Sequence, residues 1–166
     1  MLEFEGLKRS SDLERAINLI KHLEDNLESL AFVDVKFDAT FFTDLHELSL
    51  NLTTLKLQNV DLTDVDAGSF SPFILGQKKL NSFEFHGVGM TNLVLNEIGR
   101  NLHTTAIKTL KIDFSNNVSL RNVQSNATNN WRMDNLTSFT LGGVASLDNS
   151  LMMNIFSHHN ETLKVR

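Results

Sequence analysis

Residues 51–62 read Asn-Leu-Thr-Thr-Leu-Lys-Leu-Gln-Asn-Val-Asp-Leu, with apolar side chains at Leu52, Leu55, Leu57, Val60 and Leu62. In an extended chain, residues two apart share a face, so Leu55 and Leu57 point to one side and Thr54, Lys56 and Gln58 to the other. One such segment is a short strand. The same spacing returns at "NLESLAFVDVKF", "KLNSFEFHGVGM" and "NLTSFTLGGVAS". Aligning the first apolar residue of each unit gives Leu27, Leu52, Leu80, Ile107, Leu136 and Asn160, with successive spacings of 25, 28, 27, 29 and 24 residues. A self-similar period in the twenties marks units that bury their apolar faces only by stacking on one another.

The shared pattern is L-x-x-L-x-L-x-x-V-x-L. It is carried by Leu27, Leu30, Phe32, Val35 and Phe37, by the Leu52 to Leu62 set, and by Leu80, Phe83, Phe85, Val88 and Met90. It recurs at Leu136, Phe139, Leu141 and Val144, while the unit of Ile107, Leu110 and Ile112 keeps the strand but has Ser115 and Asn117 where the later apolar pair belongs; "NETLKVR" closes the series with Leu163 and Val165. Parallel strands cannot be joined by a tight hairpin, so each needs a crossover. The intervening segments supply helices. "DLERAINLIKHLED", 12–25, places Leu13, Ala16, Ile17, Ile20 and Leu23 on one helical face, with Ser10, Ser11 or Asp12 as N-cap. "SPFILGQKK" places Ser71 at the N-cap and the chain's one proline, Pro72, at the first helical position. Helices are also expected at 91–103 and 148–159, a weaker one within 38–51, and an irregular Asn-rich loop at 116–135.

On these motifs the chain resembles leucine-rich-repeat proteins of the helix-bearing, ribonuclease-inhibitor-like and F-box-associated type, from Asp12 to the end. The resemblance implies an α/β solenoid, with a curved parallel sheet on the concave side and helices on the convex side. Residues 1–25 form an N-terminal capping helix, and 26–166 hold about five and a half repeats with strands near 28–33, 53–58, 81–86, 108–113, 137–142 and 161–165. One position departs from the family. The turn residue commonly Asn or Cys is Val35, Val60, Val88, Ser115 and Val144 here, so these turns are expected to be held by packing.

Composition narrows the function. A chain of 166 residues with 41% hydrophobic content suits one domain with one core. A net charge of -5 with scattered Lys and Arg lacks the basic footprint of a nucleic-acid binder. No apolar run reaches the roughly 18 to 20 residues that span a bilayer, and the N-terminal stretch lacks a signal-peptide layout. A membrane partner is therefore not expected, and the expected location is intracellular, cytoplasmic or nuclear. The absence of cysteine removes disulfides, thiolate metal sites and a Cys nucleophile. The six histidines, His22, His46, His86, His103, His158 and His159, lack the i, i+4 spacing and acidic partner of a metal helix, so no metal and no cofactor is expected. No G-x-S-x-G turn or phosphate-cradling glycine loop occurs, which leaves no familiar catalytic signature. The Asn-x-Ser/Thr triplets at Asn51, Asn117, Asn126, Asn135 and Asn160 are close to the number an Asn-, Ser- and Thr-rich chain reaches by chance.

What remains is the outward face of the strands. Its first column is Ser29, Thr54, Ser82, Thr109, Ser138 and Thr162; the next holds Ala31, Lys56, Glu84, Lys111, Thr140 and Lys164, and the third Val33, Gln58, His86, Asp113, Gly142 and Arg166. Such a mixture suits both recognition and an ordinary solvated face. The candidate binding patch is Lys56, Gln58, Glu84, His86, Lys111 and Asp113, and Trp131 is either an exposed anchor for a partner or a cover over the repeat edge. The expected activity is non-catalytic recognition of another protein on the concave sheet. The family resemblance points to the substrate-receptor repeats of an F-box-type ubiquitin ligase, with the sensing or autoinhibitory array of an innate immune receptor, or a bacterial effector, as the alternative. Ending inside a sixth strand, the chain is expected to belong to a longer array, or to pair with a second copy through that C-terminal edge.

Overall fold

A computed structural model describes residues 1–87, 89, 105–113, 135–142 and 164–165. The helices expected at 91–103 and 148–159, the loop at 116–135 except for Asn135 and thus including Trp131, and the turn positions Val88, Ser115 and Val144 lie outside the described residues. The described chain runs β1 (Leu2–Glu5), α1 (Ser10–Leu23), β2 (Ser29–Val33), α2 (Phe41–His46), β3 (Thr54–Gln58), α3 (Ala67–Gly76), β4 (Ser82–His86), β5 (Thr109–Asp113), β6 (Ser138–Gly142) and β7 (Lys164–Val165). These strands form one seven-stranded sheet in chain order, every neighbouring pair parallel. No helix among the described residues is long and apolar enough to cross a membrane.

Alternation along each strand separates two faces. Leu30 and Phe32, Leu55 and Leu57, Phe83 and Phe85, and Leu110 and Ile112 are buried on one side, where they join Leu13, Ala16 and Ile20 of α1, Phe41, Phe42 and Leu45 of α2, and Phe70, Phe73 and Ile74 of α3 in a single core. Phenylalanines tie it together along the stack. Phe42 lies edge-on to Phe70 at 4.6 Å, Phe37 is 4.9 Å from Phe42, and Phe83 is 4.1 Å from Phe85. Removing this much apolar surface from water contributes about 1.5–3 kcal/mol per large side chain, which makes burial rather than helix propensity the organising force.

The first strand is an addition to the expected plan. Residues 1–25 are more than a capping helix, because Leu2 and Phe4 align with Leu30 and Phe32 across a parallel pair, and Phe4 stacks on Phe32 at 5.5 Å. The helix also starts earlier than 12. Its N-cap is Arg9 rather than Ser10, Ser11 or Asp12, and the Arg9 guanidinium donates to both carboxylate oxygens of Asp12 at 3.0 and 3.1 Å. Leu23, expected on the buried face, is 39% exposed, since the helix gives way there to a 3-10 turn over Glu24–Asn26.

Pro72 is a second correction. It does not open a helix capped by Ser71; α3 begins at Ala67 after Asp66, and Pro72 sits inside it. An interior proline removes one backbone bond and costs about 3 kcal/mol. Starting the helix upstream buries Phe70 together with Phe73 and Ile74, at about 1.5–3 kcal/mol each, so tertiary burial outweighs the local preference. At the other end of α3 the buried Gln77 side chain accepts from the Leu52 N–H at 3.2 Å and donates to the Phe73 carbonyl at 3.4 Å, joining the helix end to the entry of β3. In the weaker segment 38–51 the helix shrinks to Phe41–His46, led in by Asp38, whose Oδ1 accepts from the N–H groups of Thr40 and Phe41.

Each strand from β1 to β4 leaves the sheet through the same turn. Gly6, Asp34, Asn59 and Gly87 follow the last strand residue and all have positive φ, between 51° and 71°. Their N–H groups donate to Val33, Gln58, His86 and Asp113 carbonyls at 2.9, 2.9, 2.7 and 2.9 Å. Val35 and Val60 are buried behind these turns, as packing requires. Packing is not the whole of it. The turns also hydrogen-bond to one another through the backbone, Asp61 N–H to Val35 O at 2.9 Å and Gly89 N–H to Val60 O at 2.8 Å, so a neighbouring main chain does what a turn side chain does elsewhere.

The last pair departs from the expected columns. Ser138 stands opposite Lys164 and Phe139 opposite Val165, two residues away from the alignment in which Thr162 continued the hydroxyl column. A slip of two residues keeps each residue on its own face, so the hydrophobic alternation that specifies register elsewhere does not distinguish the two alignments.

Candidate functional site

The open face is built by one-to-one register. Residues 29, 54, 82, 109 and 138 align as Ser29, Thr54, Ser82, Thr109 and Ser138, an unbroken hydroxyl column across β2 to β6. One step along the strands lies the row Glu3, Ala31, Lys56, Glu84, Lys111 and Thr140, and beyond it Glu5, Val33, Gln58, His86, Asp113 and Gly142. Inter-strand spacing in a sheet is about 4.8 Å, so neighbours along a row are within side-chain reach.

All six residues of the candidate patch are brought together. Lys56, Gln58, Glu84, His86, Lys111 and Asp113 line one open depression of about 430 Å³, with Asn59 and Gly87 completing its rim. Glu84 is the centre. Its Oε1 accepts from Lys111 Nζ at 2.6 Å, and its Oε2 lies 3.5 Å from His86 Nε2. Partial burial would push the Glu84 carboxyl up, but the Lys111 ammonium and then the His86 imidazole outweigh it and hold it below the ordinary carboxylate range. Glu84 is thus ionised at neutral pH and engaged on both oxygens, an arrangement suited to holding neighbouring side chains rather than giving up a proton. Asp113 is likewise engaged.

Lys56 differs. It lies directly opposite Glu84 in register, yet the carboxylate turns to Lys111 on the far side. Among the described residues the half-buried Lys56 makes no hydrogen bond or ion pair. Its neighbours on the same face are Thr54 and Gln58 along β3 and the buried Ala31 on β2.

No protein-family model matches the sequence, and no curated protein matches it significantly. The geometry of the face therefore carries the functional reading.

Among the described residues no group of three or more His, Cys, Asp or Glu side chains is placed to hold a metal ion. Trp131 lies outside the described residues. Sequence reasoning missed Asn59, Gly87, Glu3 and Glu5 as members of the face. The first two were legible as an Asn and a Gly one residue past a strand, the residue types that adopt left-handed backbone most readily. The glutamates were legible in "LEFE", whose alternation matches that of the later strands once Leu2 is aligned with Leu30.

Proposed function

We propose that the chain is a leucine-rich-repeat solenoid of the helix-bearing type and that it works as a non-catalytic recognition module, binding another protein on the concave, open face of its sheet. The observation that carries this reading is the uniform register of β2 to β6, which lays polar columns side by side over one face while the opposite face is filled by the core. An array of hydroxyls, charges and one imidazole around an open depression offers many weak contacts over a wide area, as protein partners require. The family resemblance favours an intracellular setting as the substrate-receptor repeats of an F-box-type ubiquitin ligase.

The test is comparative affinity capture. Thr109→Arg adds bulk to the hydroxyl column, whereas Lys21→Glu changes the exposed surface of α1 on the helical side. Proteins retained by the parent chain and by Lys21→Glu, but lost by Thr109→Arg at unchanged melting temperature, are the expected result. Retention that Thr109→Arg leaves intact would remove the open face as the binding surface.

A further inference from the structure

We infer that the partner of the open face presents an acidic side chain to Lys56, with a basic side chain placed roughly 10 Å away toward β1. This rests on the recognition function proposed above and specifies the chemistry of what is recognised. Of the charged groups of the depression, Lys56 is the one cation without an anion among the described residues. Glu84 is shared by Lys111 at 2.6 Å and His86 at 3.5 Å, and Asp113 is engaged. Lys56 alone among the described cations of the depression has no anion, although it is partly withdrawn from water by its neighbours.

The same row continues from Lys56 through Ala31 to Glu3, and the next from Gln58 through Val33 to Glu5. Glu3 and Glu5 are exposed, and the buried Ala31 between Glu3 and Lys56 carries no charge. Two inter-strand steps separate the glutamate rows from Lys56, which sets the span at roughly 10 Å. A partner crossing the strands therefore meets a negative edge and then a single positive charge. Complementarity across an interface places a cation over the first and an anion over the second, and like charges in either place are repelled.

The test uses a phage-displayed library of random 12-residue peptides, selected on the immobilised 166-residue chain, with bound peptides mapped by amide chemical shifts. Expected are peptides that shift Thr54, Lys56 and Glu84, carry Asp or Glu together with Lys or Arg, and bind Lys56→Gln at least about tenfold more weakly; Glu3→Gln with Glu5→Gln weakens them further only when the basic residue is present. Melting temperatures of the variants establish that the fold is retained, since all three positions are on the surface. Peptides that shift the open face but bind Lys56→Gln as well as the parent would overturn this inference and leave the recognition function standing. Selected peptides that shift only the helical side, or a selection that enriches none, would count against both.

Discussion

Phe42→Ala probes the aromatic continuity of the core. Phe42 is fully buried in α2 and contacts four other rings, with centroids at 4.9 Å to Phe37, 5.5 Å to Phe41, 4.6 Å to Phe70 and 5.6 Å to Phe73. It therefore links the turn after β2 to α3, one unit further along the stack. Truncating a buried Phe to Ala costs about 3–5 kcal/mol through lost transfer energy and the remaining cavity. The four ring contacts keep Phe42 off the low end of that range, at about 4 kcal/mol, although their individual contributions of about 0.5–1.5 kcal/mol do not add. Against a total stability of about 5–15 kcal/mol, that is a quarter or more of what holds the fold. Urea unfolding followed by far-ultraviolet circular dichroism should show a midpoint lowered with little change in slope, and the melting temperature should fall by roughly 8–16 °C. Phe4→Ala, at a partly buried site with a ring contact to Phe32, should cost clearly less. A loss below about 1.5 kcal/mol for Phe42→Ala, or equal losses at the two sites, would refute the claim that this residue joins successive units.

Two further outcomes test the turns and the charged face. Asn59 has φ of 51°, a conformation that disfavours β-branched residues, so Asn59→Val should lower stability by about 1–2 kcal/mol while Asn59→Gly leaves it nearly unchanged; equal urea midpoints for the two variants would contradict the assigned turn. Glu84 is held below its ordinary value of 4.5, so the unfolded chain binds its proton first as pH falls. Its contribution is present in full above about pH 4.5 and is lost as pH drops through the lower folded value, so the difference in stability between the parent and Glu84→Gln should shrink on acidification. With Lys111 41% exposed the pair is worth at most about 1 kcal/mol, and a difference that stays constant from neutral pH to about pH 3 would show that the carboxylate is not held by its neighbours.

Much of the architecture was legible because it depends on a period of two. Leu55 and Leu57, Phe83 and Phe85, and Leu110 and Ile112 announce strands at positions where strands are found, and the side chains between them sort into the columns that the sheet aligns. The six patch residues came from that sorting, and the depression they line follows from it. Where local signals compete with tertiary burial the sequence misleads. Pro72 is a helix-start signal overruled by the burial of Phe70, and Ser10 and Ser11 fall inside the first turn of α1, where Arg9 takes the cap position and pairs with Asp12. The two-residue slip at β7 escapes any pattern of apolar residues, since it moves no residue to the other face.

What the sequence determined by itself is thus the alternation, the spacing of the units and the six residues of the candidate patch, all of which follow from which side chains must leave water. Tertiary structure alone decided how the charges on that face are paired. Lys56 and Lys111 flank Glu84 symmetrically in the row, and nothing in their order along the chain favours one over the other. The carboxylate makes its short contact with Lys111 and leaves Lys56 without a partner among the described residues, because pairing depends on where side-chain atoms come to rest at distances of a few ångströms.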